Sequence, residues 1–245
     1  MPQHRFYCPA KLLALGAIVK LPDSAATHAV RVLRMTEGDI AILFNGDGFD
    51  YACTLTAIKK NEVLAEVGAG TEVSSESPLN ITLLQGISSG DRMDYTIQKA
   101  VELGVNHIQP IATERSVVKL NKERMAKRIT HWQNVIHSAC EQSGRAFVPK
   151  ISAPRSLSQW LAEHPKQDQC RILLNPVGAK QFAKISKPTS EIQLLIGAEG
   201  GLSPNEIEIA TNNGFQSILL GPRILRTETA ALAAIASMHA LWGDF

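Results

Sequence analysis

Residues 191–214 read EIQLLIGAEGGLSPNEIEIATNNG. The apolar run EIQLLI reads as a short buried strand. Ser203-Pro204-Asn205-Glu206 then marks a helix start, with serine at the cap, proline in the first turn and glutamate three residues on. Gly214 ends that helix. The segment is therefore a strand, a glycine-rich loop and a helix in immediate succession, and the same alternation continues on both sides of it.

Upstream, LNITLLQ (79–85) reads as a strand. RMDYTIQKAVEL (92–103) reads as a helix stopped by Gly104, and VNHIQPI (105–111) as the next strand. A long helix is predicted from Asn121, because Met125, Ile129, Trp132, Ile136 and Cys140 recur at spacings of three and four. VPKI (148–151), CRILL (170–174) and FQSILL (215–220) are further short strands. Strands alternating with helices predict an α/β domain with a largely parallel sheet and helices on both faces.

The N-terminal third has a different grain. HRFYC, IAILFNG, YACTLTAI and NEVLAEV read as strands, GDGFD (46–50) as a hairpin-type turn, and SAATHAVRVLR (24–34) as one helix capped by Asp23 or Ser24. That pattern predicts a small β-barrel-like domain. GAGTEVSSESP (68–78) is small, polar and ends in proline, so a linker is expected there, between a domain over 1–72 and another over 78–245. Gly68-x-Gly70 is not a dinucleotide fingerprint: Val73 stands where the third glycine belongs, and no helix pattern follows.

Composition narrows the class. The chain of 245 residues is 44% hydrophobic and 20% charged, which excludes wholesale disorder; its net charge of +2 names no partner. The four cysteines form no CxxC pair, so neither a zinc site nor a disulfide framework is expected, and they fit a reducing cytosol. None of the seven histidines pairs at i, i+4, and no metal is expected. The start MPQHRFYCPAK lacks a signal-peptide core, and no stretch approaches the roughly 20 apolar residues that cross a bilayer, so a cytoplasmic protein with no membrane partner is expected.

In open parallel sheets, ligands sit beyond the carboxyl ends of the strands. Three late strands run there into loops rich in glycine or proline: Asn175-Pro176-Val177-Gly178, residues 197–202 (GAEGGL) and residues 221–229 (GPRILRTET). Glycine lets backbone approach a ligand closely, which suits a flat heterocycle such as adenine. None of the loops is a phosphate loop, since no GK[ST] follows the glycines. The helix opening at Thr227 is apolar all round, hence buried. Thr227 can cap it and Glu228 complements its dipole. Arg226 is different: a cation at the positive end of a helix needs an anionic partner, either Glu228 or Glu199, or else a nucleic-acid phosphate or a developing anion.

These residues carry a resemblance. IGAEGGLSPNEIE followed by LGPRILRTETA resembles the SPOUT class of methyltransferases, and within it the RsmE family, which methylates N3 of a uridine in 16S ribosomal RNA. QKAVELGV (98–105), ERSVV (114–118), EQSGR (141–145) with Pro149, and HAVRVLR (28–34) with Gly38-Asp39 extend the match over almost the whole chain. Ala198 departs from the family's usual proline, so that loop is expected to be somewhat less rigid. The resemblance implies a SPOUT-type parallel sheet with a C-terminal trefoil knot, preceded by a PUA-like RNA-binding β-barrel. It also implies a homodimer and S-adenosyl-L-methionine as cofactor. On the same ground the cofactor site is expected from Leu174, Asn175, Pro176, Ile196, Gly197, Glu199, Gly200, Leu219, Gly221, Ile224, Leu225, Arg226, Thr229 and Ala230.

The implied reaction is in-line transfer of a methyl group to a ring nitrogen, in which alignment does much of the work. Arginine stays protonated, so Arg226 is expected to stabilise negative charge on the uracil oxygens, with Glu199 and Glu228 as candidate bases. The RNA, naked 16S rRNA or the small ribosomal subunit, should meet basic surface. Residues 115–145 hold seven basic side chains, Lys119, Lys122, Arg124, Lys127 and Arg128 among them, against two acidic ones. Arg115, Gln142 and Arg145 fall in family motifs. In the first domain Arg5, Tyr7, Arg31 and Arg34 could hold phosphate and stack a base, Arg31 and Arg34 being three apart on one helix side. Among the histidines, His28 alone lies in a family motif and reads as a packing or capping residue rather than a catalyst. Rival readings are a SPOUT enzyme acting on a ribose 2′-OH or another base, and a non-catalytic RNA-binding assembly protein.

Overall fold

The computed structural model describes residues 4–12, 14–59, 62–116, 122–175 and 180–245. Its contacts divide the chain into two units: Met1–Glu76 with His137–Val148, and Ser77–Ile136 with Pro149–Phe245.

In the first unit, strands β1 (Arg5–Tyr7), β2 (Ile18–Lys20), β3 (Ile40–Phe44), β4 (Phe49–Lys59) and β5 (Glu62–Glu72) form a sheet in the order β1-β3-β4-β5-β2. β1 pairs parallel with β3, and the other pairs are antiparallel. Period-two burial along β4 and β5 sends Tyr51, Cys53, Leu55, Val63, Ala65 and Val67 into one core. β5 continues through Gly68 and Gly70 to Glu72, where the sequence predicted the start of a linker. The register slips between Tyr51 and Cys53, and a Cβ on Gly68 would lie 2.0 Å from the Ala52 carbonyl oxygen. The glycine marks a bulge in a strand.

The predicted helix 24–34 is also shorter and less regular than its pattern. α1 spans Asp23–Thr27, with Pro22 at its N-cap and no side-chain cap; a π-helical turn over His28–Val32 follows. Asp23 lies inside the first turn, where its charge complements the dipole. Arg34 has left the helix with φ +56°.

The second unit is built on β6 (Ile81–Gly86), β7 (His107–Ile111), β8 (Lys150–Ile151), β9 (Cys170–Leu174), β10 (Lys180–Gln181), β11 (Ile192–Ile196) and β12 (Gln216–Leu219). Their order is β10-β12-β9-β11-β6-β7-β8, and every pairing is parallel. β6 is buried at all six positions, as a strand covered on both faces must be. Its helices are α2 (Asp91–Glu102), α3 (Lys122–Ser143) as far as Ile136, α4 (Leu157–Glu163), α5 (Pro204–Asn212) and α6 (Thr227–Trp242). Leu84, Leu173 and Leu195 share a core cluster with α4 and α5; α2 and α6 pack on each other outside that cluster. On α3, Trp132, Ile136 and Cys140 are buried as their spacing predicted. Gly104 (φ +86°) and Gly214 (φ +87°) close α2 and α5 as expected. The chain passes from β8 back across β11 to β9, so the order reverses beside β6 and β11, and the crevice that holds ligands in such sheets opens at their carboxyl ends.

Candidate functional site

A cavity of about 620 Å³ opens there. Its walls are residues 173–175 at the end of β9, 196–202 from the end of β11 onward, and 224–228 with Ala230 at the start of α6, joined by Ile207, Arg92 and Arg115. A smaller cavity of about 110 Å³ adjoins it through Leu174, Asn175, Ile224, Leu225 and Ala230, and extends to Leu219 and Gly221. Most of the residues expected to hold the cofactor therefore line one of two contiguous spaces. Thr229 is exposed and lines neither. Pro176 lies outside the described residues. The sequence singled out none of Arg92, Leu202 and Ile207 as site residues. Arg92 was findable, because Ser89-Gly90-Asp91-Arg92 follows the carboxyl end of β6 and so obeys the same strand-end rule.

Close backbone approach shapes the cavity floor. A Cβ on Gly86 would lie 2.2 Å from the Ala198 nitrogen, and one on Gly197 would lie 2.7 Å from the Gly201 carbonyl carbon. Only glycine lets the end of β6 and the two limbs of the β11 loop touch at these points. The Gly201 N–H donates to the Ala198 carbonyl at 2.8 Å and closes the loop. The start of α6 is then fastened to it. The Thr227 hydroxyl donates to the Gly197 carbonyl at 2.6 Å and accepts from Gln85 Nε2 at 2.9 Å. Thr227 was expected as a helix cap. It is instead the first helical residue; Arg226 holds the cap position with no side-chain cap bond. Arg226 has the extended backbone of a cap residue (φ −65°, ψ 156°), but its side chain carries no acceptor for the helix N–H groups.

Charge is distributed unevenly around the rim. Glu199 accepts from the Ser89 N–H and hydroxyl, each at 2.8 Å, and from an Arg92 N–H at 3.2 Å. Burial opposes its ionisation, but the Ser89 donors and Arg92 outweigh it and hold the carboxyl below the usual carboxylate range. All three bonds fall on Oε1 and stabilise the ionised form, which makes Glu199 a weaker base than a free carboxylate. It is also not the partner of Arg226. Arg115 donates to the Gly200 carbonyl at 3.3 Å. Among the described residues, the Arg226 side chain has no hydrogen-bond or ion-pair partner, and neither has that of Glu228.

In the first unit the predicted RNA contacts separate into two groups. Arg145 is buried, 4% exposed, and forms a bidentate pair with Glu76 at 3.0 and 2.6 Å. The structure makes it a framework residue, because a buried guanidinium must be matched by a carboxylate. Arg5 pairs with Asp50 and donates to the Arg145 carbonyl at 3.1 Å. One face of the Tyr7 ring is taken by His137, stacked at 3.8 Å. Burial pushes the His137 pKa down to about 4, so that ring is neutral. Arg31, Arg34 and Gln142 are exposed. Arg31 lies in the π-helical turn and Arg34 beyond it, so the two do not share a regular helix face. Lys119 lies outside the described residues; Arg124 and Lys127 are exposed and Arg128 half-buried on the first turns of α3.

The chain is similar to known proteins over almost its whole length. The model of an RNA methyltransferase domain matches residues 75–239, and that of an RNA methyltransferase PUA domain matches residues 21–68. The chain is 33% identical to the ribosomal RNA small subunit methyltransferase E of Buchnera aphidicola, over 95% of this chain and 92% of that protein. It is 36% identical to the protein of that name from Bacillus subtilis, over 86% and 85%. Two solved structures superpose closely. A Legionella pneumophila methyltransferase in complex with S-adenosylmethionine gives a TM-score of 0.94 at 39% identity, with both chains fully covered. The Neisseria gonorrhoeae ribosomal RNA small subunit methyltransferase E bound to S-adenosylmethionine gives 0.91 at 43%, with 99% of each covered.

Proposed function

We infer the function from one premise: the chain belongs to the ribosomal RNA small subunit methyltransferase E family of RNA methyltransferases. It transfers a methyl group from S-adenosyl-L-methionine to N3 of a uridine in 16S ribosomal RNA. The observation that carries this reading is an arginine without a partner among the described residues, Arg226, at the edge of a nucleoside-sized cavity built from three strand-end loops.

The lining fits the cofactor. A volume of about 620 Å³ falls in the range of small-molecule sites, and Leu174, Ile196, Leu202, Leu225 and Ala230 supply apolar walls beside loop backbone able to pair with a heterocycle. Ile224 lines the same cavity and is 93% exposed, an apolar side chain placed for a ligand or a base to cover. The bound cofactor supplies a methyl group already activated on a sulfonium, so no metal is needed. The chain's own residues do the rest. The loops hold the donor in one orientation, which converts an encounter into an aligned attack. Arg226, always protonated, donates hydrogen bonds to the uracil oxygens as the imide loses its proton. Glu228, on the cavity wall, accepts that proton.

The finer architecture belongs to the same proposal. The C-terminal crossovers form a trefoil knot; support comes from the Thr227 bonds that hold the last helix against the β11 loop. The enzyme works as a homodimer. Leu241 and Phe245 are 50% and 69% exposed, and an open hollow of about 600 Å³ runs along the second half of α6 between Phe182, Leu220, Pro222 and Leu241. The first unit binds RNA through Arg31, Arg34 and Gln142, and the protein acts in the cytoplasm. Among the described residues, no helix is long and apolar enough to cross a membrane.

The test is mass analysis of nucleosides from unmethylated small-subunit RNA incubated with protein and cofactor. N3-methyluridine is expected. A 2′-O-methylated ribose in its place would overturn the base specificity, and no methylation with intact cofactor binding would favour an RNA-binding assembly protein.

A further inference from the structure

Arg92 is the second residue of α2, so its positive charge lies at the positive end of a helix, as that of Arg226 does on α6. Both side chains line the same cavity, and Arg115 lines it from a third segment. Three guanidinium groups around one opening repel one another unless anions lie between them. Two carboxylates are present. Glu199 is bound to Ser89 and Arg92, and Glu228 meets no guanidinium among the described residues. Arg92 uses a single donor on Glu199, at 3.2 Å, and its side chain is 48% exposed. Most of its five N–H donors therefore make no bond to a described residue, and Arg115 commits one donor to the Gly200 carbonyl.

The cofactor does not balance this charge. Its amino-acid end is a zwitterion and its sulfonium is positive, so a bound cofactor adds net positive charge. A phosphodiester does balance it, and a nucleotide that enters the cavity carries one on each side. We propose that Arg92, with Arg115 beside it, binds the RNA phosphate next to the target nucleotide, and that Glu199 is a positioning residue that aims Arg92. This rests on the RNA-methylating reading above and adds to it the group that seats the substrate. Glu199 suits the role. Two Ser89 bonds fix its carboxylate, and its third bond holds one end of the guanidinium while the remaining donors stay uncommitted among the described residues.

The experiment measures affinity for unmethylated small-subunit RNA at several salt concentrations, and affinity for S-adenosylmethionine by calorimetry, in the full-length protein. Arg92→Ala should weaken RNA binding about tenfold, the usual loss for a hydrogen bond to a charged group. It should also flatten the salt dependence by about one unit of slope, the signature of one lost phosphate contact. Cofactor affinity should not change. Arg92→Lys, which keeps the charge, should restore the slope. Glu199→Gln should slow turnover in the wild-type background and add nothing further to Arg92→Ala, because one acts through the other. An unchanged salt slope in Arg92→Ala, or a loss of cofactor affinity with RNA affinity intact, would overturn the assignment and leave the methyltransferase reading standing. Fully additive effects of the two substitutions would remove the positioning role. Wild-type protein that bound no small-subunit RNA would overturn both.

Discussion

Two helix starts stand beside the same cavity and are finished in opposite ways. At α5, the Ser203 hydroxyl accepts from the Glu206 N–H at 3.1 Å, while the Glu206 carboxylate accepts from the Ser203 N–H at 2.9 Å and from the Glu114 N–H at 3.0 Å. Each of these donors is satisfied within the protein. At α6, the cap position holds Arg226, no side chain caps the helix, and the guanidinium has no partner among the described residues. Both helices follow a parallel strand and a glycine-containing loop. The closed start is structure alone. The open one is left with positive charge and free donors at the cavity edge, an arrangement that favours whatever negative charge arrives or develops there.

The comparison breaks first at Arg226. Arg226→Ala should lower turnover on RNA by about 10²–10³, the effect of removing one preorganised donor to a developing anion. Calorimetry should show cofactor affinity unchanged; equal losses of both would make Arg226 a wall of the cofactor pocket. Next comes Thr227, where the open start is fastened down. Thr227→Val keeps the shape but leaves the buried Gly197 carbonyl and Gln85 amide without the hydroxyl, a loss of about 1–3 kcal/mol of stability. Thermal unfolding reads this, and cofactor affinity should fall with it because the loop and helix no longer move as one. Ser203→Ala at the closed start should destabilise by about 1 kcal/mol and leave the turnover of the folded enzyme alone. A drop in turnover there would erase the distinction between the two starts.

Smaller effects sharpen the picture. The folded-state pKa of Glu199 is depressed, so its contribution to stability is fully present above the ordinary carboxylate pKa and is lost as pH falls through the folded value. Acid unfolding curves of Glu199→Gln should therefore be flatter than wild type at the low-pH end and unchanged in shape near neutrality. Ala198→Pro, which removes conformational freedom from the unfolded chain, should raise stability by about 0.4–1 kcal/mol if the loop already holds a proline-compatible backbone.

The contrast also shows what a sequence displays. The capping box at Ser203 is written in four adjacent residues, and the structure follows it. The stops at Gly104 and Gly214, the alternation of strands with helices and the glycine-rich strand ends were legible for the same reason: each is local. Contacts distant in sequence were not. Thr227 reads as a cap from its neighbours, but its hydroxyl is claimed by Gly197, thirty residues away. Gly68 and Gly70 read as linker, yet pairing with β4 carries them as strand. Arg145 reads as basic surface because nothing near it in the chain announces Glu76. Residues 137–148 join the first unit through partners such as Tyr7 and Glu76, which no periodicity on α3 could signal. The strand-end rule points to Arg92, but nothing local announces its partner; only the folded loop brings Glu199 to it.

The central claim is that three loops at the carboxyl ends of parallel strands clasp the cofactor, with the Arg226 guanidinium over the methyl acceptor. A crystal structure of this protein with S-adenosylmethionine and a uridine nucleotide tests it most directly. Adenosine is expected against residues 173–175, 197–202 and 224–225, and the uracil oxygens within hydrogen-bond distance of Arg226. A cofactor lodged elsewhere, or a uracil seated away from Arg226, would contradict it.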